Sequence, residues 1–504
     1  MNARAWTLFG ALLGLWACER PDALDRPLDA RGPFALGHHV AYVVASPPRV
    51  ALLQPAARSV HFVDLDARPR QVFAEPEGRG LLVLAEDDDA WWIPADATGV
   101  GRPQRFALDG QYGAAAFGPD ARRVVLYHTP GANRGVISNP NQVALLDLAA
   151  GTGVERSLRS FGSQPNAVVV GPARALAGAE RQLAWVMAER YLAVVDLATP
   201  EAREVVVHLT LAEDPRPVTP VQVTFGEVEG AATYYVRADG SDDVFALSFP
   251  DAAPADTVPV PYLNQLPAGP APADVVALDV ADGPRVFAAG AGTLSVIDPI
   301  TGRQVPVSVG HRATRLLPFR APREDGEGEG WSALVWAPGG AAVIFADLDL
   351  LEQRRGRALT PLVLPTPLTE LTPLPGRRAA VGRDGSSRVV LLDFEARTAT
   401  PLEAGGVLGA LRVDPGGDRV YVTVQNVTEF DRYDLASIDV DTATASSARL
   451  PDTPRALLLV PGAGRLVVDH GTIWGRVSLA PLTDLQDDRV MHHEGVLLTG
   501  AFDR

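Results

Sequence analysis

Apolar runs that end in aspartate or a similar turn-forming residue recur along most of this chain. Six runs are regular and cover residues 60–64, 143–147, 192–196, 294–298, 389–393 and 436–439. Four less regular runs cover residues 91–94, 244–247, 343–346 and 477–479. Through most of the chain they recur about every 40–53 residues, which is the length of one four-stranded β-propeller blade.

The order of elements within a repeat is consistent. A strand leads through a Gly/Pro/Asp turn to a second strand, then come a variable loop, the apolar run and a more polar outer strand such as residues 304–308. The apolar run does not alternate between apolar and polar positions, which indicates a third strand with both faces covered. The pattern therefore predicts an all-β fold, a single large β-propeller of four-stranded antiparallel blades with about seven to ten blade-like repeats.

The ends of the chain are expected to close the ring. We expect N-terminal and C-terminal strands to share one blade, with residues 40–44 or 50–53 pairing near residues 495–499. The first unit, residues 41–64, and the last, residues 464–482, are then incomplete blades. No stretch in the middle of the chain has the composition of a linker, which favours one ring over two smaller propellers.

Two repeats resemble a known family. Residues 414–426 read Asp-Pro-Gly-Gly-Asp-Arg-Val-Tyr-Val-Thr-Val-Gln-Asn and are followed by Ile-Asp-Val-Asp-Thr at 438–442. This pattern resembles the repeat of YVTN-type, WD40-like β-propellers, and residues 294–302 are similar to its second half. The resemblance implies a propeller domain of bacterial surface or periplasmic proteins, and it brings no catalytic residues with it.

Composition narrows the classes of function. The chain has 504 residues, 47% of them hydrophobic, which is enough to bury one or two large cores. It contains no lysine, and its 45 basic and 61 acidic residues give a net charge of −16. Such a surface repels phosphate backbones, so nucleic acid is excluded as a partner. The single cysteine excludes an internal disulfide and a cysteine-built zinc or iron–sulfur site.

The N-terminus predicts export and lipidation. Residues 1–17 carry Arg4 and a short apolar run, as a signal peptide does. The sequence Leu-Trp-Ala-Cys at 15–18 resembles the lipobox of bacterial lipoproteins, which implies that Cys18 is lipidated and becomes the mature N-terminus. An ordinary signal peptide cut near Ala17 is the alternative. Glu19 favours the outer membrane, facing the periplasm or the cell surface, and residues 18–33 predict a flexible tether before a propeller at 34–504.

Several polar clusters are candidates for chemistry. His38, His39, His492 and His493 lie near the two ends that ring closure brings together and are candidate metal ligands, with Glu494 or Asp469–His470 beside them. Adjacent histidines on a strand point to opposite faces, which argues against a common site. Acidic clusters at residues 87–89, 239–243 and 324–329 could bind calcium but lack EF-hand spacing, so solvated turns are the favoured interpretation.

The best candidate for partner contact is a long loop between second and third strands. It contains Glu429, Phe430, Asp431, Arg432 and Tyr433, a mixture of aromatic and charged groups. A second long loop at residues 133–141 is comparable, and a tolerated insertion is the alternative for both.

The sequence favours a binding role over an enzymatic one. No short hydrolase or phosphate-binding motif occurs, and the sequence predicts no catalytic, cofactor-binding or metal-binding residues. We expect a lipid-anchored module of the cell envelope whose partners are the membrane and other envelope proteins or polysaccharide. The alternative is a propeller enzyme of the lactonase or quinoprotein-dehydrogenase type, since such enzymes assemble their sites from several blades.

Overall fold

The chain is described by a computed structural model for residues 29–129, 139–159, 163–210, 217–322, 328–429, 431–471, 475–483, 485–500 and 502. The structure is 58% strand and 4% helix. Its strands form ten four-stranded antiparallel blades in sequence order, which confirms the predicted all-β propeller. Among the residues described, no helix is both long and apolar enough to span a membrane.

The first four blades take up the chain as far as His208. Blade 1 contains β1 (Ala30–Leu36), β2 (His39–Ala45), β3 (Pro48–Gln54) and β4 (Ser59–Asp64). Blade 2 contains β5 (Pro69–Ala74), β6 (Gly80–Ala85) and β7 (Ala90–Asp96), and both β8 (Gly99–Val100) and β9 (Gln104–Phe106) pair with β7. Blade 3 contains β10 (Ala114–Phe117), β11 (Arg123–Tyr127), β12 (Gln142–Asp147) and β13 (Thr152–Ser157). Blade 4 contains β14 (Ala167–Val170), β17 (Leu183–Met187), β18 (Tyr191–Asp196) and β19 (Val205–His208), with an inserted hairpin of β15 (Arg174–Leu176) and β16 (Ala179–Arg181).

The next three blades follow the same order. Blade 5 contains β20 (Thr219–Val228), β21 (Ala231–Asp239), β22 (Asp243–Ser248) and β23 (Tyr262–Pro267). Blade 6 contains β24 (Pro272–Val280), β25 (Gly283–Gly290), β26 (Thr293–Ile297) and β27 (Gln304–Ser308). Blade 7 contains β28 (Arg315–Pro322), β29 (Glu329–Trp336), β30 (Gly340–Asp347) and β31 (Leu359–Leu368), with the short helix α1 (Leu351–Arg354) before β31.

The last three blades complete the ring. Blade 8 contains β32 (Glu370–Pro373), β33 (Ala379–Arg383), β34 (Arg388–Asp393) and β35 (Thr398–Glu403). Blade 9 contains β36 (Gly406–Val413), β37 (Arg419–Asn426), β38 (Tyr433–Asp439) and β39 (Thr444–Leu450). Blade 10 contains β40 (Ala456–Val460), β41 (Arg465–Asp469), β42 (Val477–Pro481) and β43 (Met491–His493), and helix α2 (Val496–Thr499) follows it. Short 3-10 turns occur at Arg355–Ala358, Pro461–Ala463 and Asp487–Arg489.

The hydrophobic core is divided among the interfaces between blades. The described residues form ten apolar clusters, and each one joins two neighbouring blades around the ring. In β3, Val50 and Leu52 pack against blade 2, whereas Ala51 and Leu53 pack against blade 10. Successive strand residues point to opposite faces, so an inner strand covered on both sides has to be apolar throughout.

Blade 10 closes against blade 1 without exchanging a strand. Its four strands are consecutive in sequence, so the expected sharing of one blade by the two ends is wrong. Residues 40–44 and 50–53 lie within β2 and β3 of blade 1, while residues 496–499 are helical. The two end units expected to be incomplete are full blades, and β1 begins at Ala30, inside the range assigned to the tether.

The C-terminal strap, which we define as residues 495–500 with Phe502, crosses the seam between blades 10 and 1. Val496 and Leu497 are buried in the cluster that joins these blades, and Phe502 packs against it. The Arg49 guanidinium of blade 1 donates a hydrogen bond to the carbonyl oxygen of Leu497 at 3.2 Å. Side-chain packing and the strap therefore close the ring.

One apolar run was assigned to the wrong position in its blade. Residues 60–64, expected as a third strand, lie in β4, the outermost strand of blade 1. Val60 and Phe62 are apolar because they pack against the cluster beneath the strap, and Gly500 of the strap lies against the Phe62 ring. The other nine runs fall on third strands, namely β7, β12, β18, β22, β26, β30, β34, β38 and β42.

The blades give the ring two distinct faces. Loops between second and third strands lie on one face, here named the loop face, and the remaining hairpin turns of each blade lie on the other, the turn face. The first strand of every blade is innermost and lines the central channel. Any long insertion between second and third strands is therefore presented on the loop face.

Candidate functional site

The predicted contact loop joins β37 to β38 on the loop face of blade 9. The Asn426 side-chain oxygen accepts the backbone N–H groups of Thr428 and Glu429, at 2.9 and 3.1 Å. The backbone N–H of Arg432 donates to the Glu429 carbonyl oxygen, and Asn426 N–H donates to the Arg432 carbonyl, both at 2.9 Å. The loop is therefore a hydrogen-bonded turn, in which asparagine replaces the backbone partners that a strand would supply.

The predicted contact residues differ in whether their side chains face solvent or pack against the core. The Arg432 guanidinium lies 3.3 Å from Asp434 and 3.8 Å from Glu429, while Asp431 is exposed. The Tyr433 hydroxyl oxygen accepts a hydrogen bond from the Gln425 amide at 3.4 Å, and its ring packs against the core between blades 9 and 10. Phe430 lies outside the described residues. Glu429, Asp431 and Arg432 thus form the polar surface of the loop, and Tyr433 anchors it.

Two exposed valines lie at the same end of blade 9. Val427 in the loop is 55% exposed, and Val407 on the innermost strand β36 is 47% exposed. Val407 pairs in register with Gln425, two residues before Val427, so both belong to the rim between the loop face and the channel. We name Val407, Val427, Glu429, Asp431 and Arg432 the blade 9 patch. Exposed apolar side chains within a charged rim are typical of protein interaction surfaces.

Blade 10, next to this patch, contains a chain of three hydrogen-bonded side chains. The Ser478 hydroxyl lies 2.7 Å from Nε2 of His470 and 2.8 Å from Nδ1 of His492. Nδ1 of His470 faces the carbonyl oxygens of Asp452 and Thr453, at 3.0 and 3.3 Å. Carbonyl oxygens only accept, so His470 carries its proton on Nδ1, its Nε2 accepts from Ser478, and Ser478 accepts from Nδ1–H of His492.

Burial determines what this chain of groups can do. Ser478 is 0% exposed and His470 is 6% exposed, so an attacking hydroxyl would not reach a substrate. Burial lowers the pKa of His470, and burial together with the nearby Arg476 lowers the pKa of His492. Both imidazoles are thereby favoured in the neutral form that the hydrogen-bond pattern requires. The arrangement is an internal polar link between β41, β42 and β43.

A buried carboxylate lies at the seam between blades 10 and 1. Asp469 is 3% exposed, and its Oδ1 accepts a hydrogen bond from the Tyr42 hydroxyl of blade 1 at 3.3 Å. Its Oδ2 is buried without a hydrogen-bond partner. Burial raises the pKa of Asp469 and also raises the pKa of Tyr42. Sequence reasoning named Asp469 and His470 only as additional metal ligands, because nothing in the pattern placed Tyr42 beside them.

The two histidine pairs do not come together. The His38 ring lies against Gly462, in the turn between β40 and β41. His493 pairs with Val477, which in turn pairs with Asp469 at the far end of β41. The five residues of β41 separate the pairs by roughly 13 Å along the strand, at about 3.3 Å per residue. The four imidazoles therefore do not form the common metal site that was considered, and disfavoured, from the sequence.

Ion pairs and backbone amides hold the described acidic clusters. Arg105 lies 3.8 Å from Asp87 and forms a hydrogen-bonded ion pair with Asp89. Asp239 pairs with Arg237 at 3.0 Å, and Asp242 accepts the backbone N–H of Ala271 at 3.0 Å. Residues 324–327 of the third cluster, and residues 133–138 of the other long loop, lie outside the described part of the chain. In the part that is described, no group of three or more His, Cys, Asp or Glu side chains is arranged to hold a metal ion.

A cavity of about 190 Å³ lies on the turn face between blades 6 and 7. It is lined by Trp331, Asp347, Asp349 and Gln353 among others. Asp349 accepts the backbone N–H of Ala281 in blade 6 at 3.1 Å and that of Trp331 in blade 7 at 3.3 Å. Both of its oxygens thus join two blades, which assigns this carboxylate to the assembly of the ring.

Known proteins include solved structures that align with much of this chain at low identity. No protein-family model matches the chain, and no curated protein matches it. Among solved structures, the dihydro-heme d1 dehydrogenase NirN in complex with DHE aligns over 77% of this chain and 76% of that chain, with 18% identity and a TM-score of 0.43. The WD40 domain of SCAP from fission yeast aligns over 84% of this chain and 97% of its own, with 10% identity and a TM-score of 0.40. A eukaryotic initiation factor aligns over 90% and 94%, with 10% identity and a TM-score of 0.45.

The blades of the structure itself establish the fold, and these low-scoring alignments add nothing to it. The ring resembles WD40 propellers in being built of four-stranded antiparallel blades. The identities and TM-scores are too low to transfer any activity, ligand or partner to this chain. The YVTN-type repeat and the signal peptide stay predictions.

Proposed function

We propose that this chain is a lipid-anchored propeller of the bacterial cell envelope that binds another envelope protein through the blade 9 patch and catalyses no reaction. The observation that carries the proposal is the exposure of Val407 and Val427 beside the charged residues of the same loop. Burying the exposed half of each valine contributes on the order of 1 kcal/mol, and the surrounding charges select the partner.

The internal polar groups support a binding role. The hydroxyl of Ser478 is buried between two imidazoles, and the carboxylate of Asp469 is buried at the seam. Each of these groups is positioned to hold strands together, while the exposed groups of blade 9 face solvent. A ring whose polar clusters serve its own assembly is a rigid support for a recognition surface.

The anchor is the second half of the proposal. Cys18 lies outside the described residues, and the lipobox-like sequence at 15–18 supports its lipidation. Because β1 begins at Ala30 and the carbonyl oxygen of Asp29 accepts the backbone N–H of Ala45, residues 19–28 are left to separate the ring from the membrane. The blade 9 patch would then reach a partner without contact between the ring and lipid.

Crosslinking in intact cells followed by extraction in mild detergent tests the binding surface. We expect the natural chain to co-purify with a defined envelope protein and the Val427→Glu variant to lose it. Ile300→Glu is the matched control, because Ile300 is 56% exposed but lies on the turn face of blade 6. If nothing co-purifies above background, or if both variants keep the partner, the proposed surface is wrong.

Two further measurements test the remaining parts of the proposal. Metabolic labelling with a fatty acid should label the natural chain and leave Cys18→Ala unlabelled, and labelling of both chains would refute lipidation at this residue. The metal and chromophore content of the purified protein separates binding from the enzymatic alternative. A stoichiometric metal or a visible chromophore would contradict a purely non-catalytic role.

A further inference from the structure

The outermost strand of each blade has one free edge, and most of these edges carry a residue that blocks pairing. A proline removes a backbone donor, and a charged side chain resists burial, so both protect an edge from other strands. Charged residues lie within β9, β13 and β39, namely Arg105, Glu155, Arg156 and Arg449. Prolines lie within β27, β31 and β35, namely Pro306, Pro361, Pro365, Pro367 and Pro401.

The first five residues of the outermost strand of blade 5 lack this protection. From Tyr262 to Leu266, β23 reads Tyr-Leu-Asn-Gln-Leu, with no proline and no charge, and Pro267 occurs only at its last position. The uncharged stretch is longer than the strand, because residues 257–273 contain no ionisable group except Tyr262. The outermost strand of blade 4, β19, also contains no proline, carboxylate or arginine. It is two residues shorter than β23, and its three valines are half-buried or buried.

The side chains of β23 are exposed on both of its faces. Tyr262 is 61% exposed and Leu263 is 37% exposed, and adjacent strand residues point to opposite faces. Val260, just before the strand, is 67% exposed. These three residues lie in one short segment at the outer circumference of the ring, and the neighbouring blades cover neither face of this segment. An incoming strand would find both a backbone edge and apolar side chains.

Carboxylates lie at both ends of this edge. Asp243 pairs in register with Pro267 at one end, and Asp242 is adjacent to it. At the other end Ser248 pairs with Tyr262, and Asp251 and Asp256 lie in the connecting segment, both exposed. Arg181, which binds this connecting segment, is already committed to Asp196 and to the carbonyl oxygens of Pro254 and Thr257. The charge around the edge is thus negative at each end and zero in the middle.

We propose that β23 is a docking edge for an extended peptide segment with an uncharged, apolar centre and a basic residue at each end. The segment adds as a further strand of blade 5, so its backbone pairs with the free edge and its alternate side chains contact Tyr262 and Leu263. The basic ends face the carboxylates at the two ends of the edge. This surface is distinct from the blade 9 patch, and the inference does not depend on the proposed function.

Fluorescence anisotropy with a labelled synthetic peptide tests this inference. The probe is Lys-Thr-Val-Thr-Val-Thr-Lys, and the comparison peptide has glutamate at both ends. We expect the lysine-ended peptide to bind at least about tenfold more tightly, and its advantage to disappear at about 1 M salt, where the Debye length is about 3 Å.

Variants locate the binding. The double substitution Tyr262→Lys with Leu263→Lys should weaken binding at least about tenfold, since it places charge on the edge and removes the apolar contacts. Both side chains are exposed, so the fold is preserved. Val363→Lys is the control, because Val363 is 78% exposed on another outermost strand, between Pro361 and Pro365. Hydrogen exchange should show that the bound peptide protects amides of residues 262–266.

Several outcomes would overturn the inference. Equal binding of both peptides, equal weakening by the Val363 control, or protection of amides elsewhere in the ring would each do so. Self-association detected by light scattering and abolished by the double substitution would show that a second copy of the chain occupies the edge, and this would also refute a peptide partner. Loss of the blade 9 interaction in the crosslinking experiment would leave these results unaffected.

Discussion

The seam between blades 10 and 1 is the one neighbouring pair of blades that no chain connection joins directly, and Leu497→Ala tests how it is held. Leu497 is 2% exposed within the apolar cluster of this seam. Its side chain is closely packed, since a methyl group on Gly475 would lie 2.9 Å from its Cγ. Removing such a buried leucine side chain costs about 2–5 kcal/mol, part of it for the cavity left behind.

The consequence should be local. Every other pair of neighbouring blades is connected by the chain, so weakening the packing between them still leaves the two blades covalently linked. At the seam the same loss lowers the free energy of opening the ring, while the rest of the structure stays folded. We therefore expect amides of blades 1 and 10 to lose protection from hydrogen exchange by about 30-fold to a few thousandfold, since each 1.4 kcal/mol is about a factor of ten.

Hydrogen exchange measured by mass spectrometry separates this expectation from general destabilisation. Leu209→Ala is the matched control, because Leu209 is 1% exposed in the cluster between blades 4 and 5, which the chain connects. The control should lower overall stability by a similar amount without selective exchange at the seam. If Leu497→Ala leaves blades 1 and 10 protected, or raises exchange evenly around the ring, the strap does not close the ring.

Three further substitutions test the buried polar groups. Asp469→Asn should raise the free energy of unfolding at pH 7. Burial raises the pKa of this carboxyl above its ordinary value of 3.8, so ionising the carboxyl costs the natural chain stability as the pH rises above 3.8. Denaturant titrations should show the gain of the variant shrinking towards pH 4, and a gain independent of pH would contradict this. Ser478→Ala should lower the free energy of unfolding by about 1–3 kcal/mol, because it leaves Nε2 of His470 buried without a donor. A smaller loss in the same titration would show that this hydrogen bond does not stabilise the fold. Asp196→Asn should lower the free energy of unfolding by about 3–5 kcal/mol, because Arg181, which is 2% exposed, loses its charged partner at 2.8 Å. An unchanged free energy of unfolding would show that the ion pair is dispensable.

The candidate site could be predicted only in part. The long loop at residues 426–433 is visible in the sequence because it interrupts a repeat, and the structure places it on the loop face. Its neighbour Val407 could not be identified, because it belongs to a different strand and becomes part of the patch only through the register of β36 with β37. The link between His470, Ser478 and His492 was missed for the same reason, since it joins three strands of one blade.

Local sequence determined the blades themselves. An inner strand such as β18 is covered by a neighbouring blade on each face, so it must be apolar throughout its centre. Residues 192–195, Leu-Ala-Val-Val, satisfy this requirement. The same constraint, repeated at blade length, was sufficient to predict a propeller and nine of its third strands.

Only the tertiary structure decided how the ring closes. The run at residues 60–64 has the composition of an inner strand because the C-terminal strap covers Val60 and Phe62, which no local pattern reveals. The histidine pairs lie near the two ends that ring closure brings together, but they are separated by the length of β41. Local patterns record which faces of a strand are covered, whereas the identity of the covering residues depends on how ten blades pack around one axis.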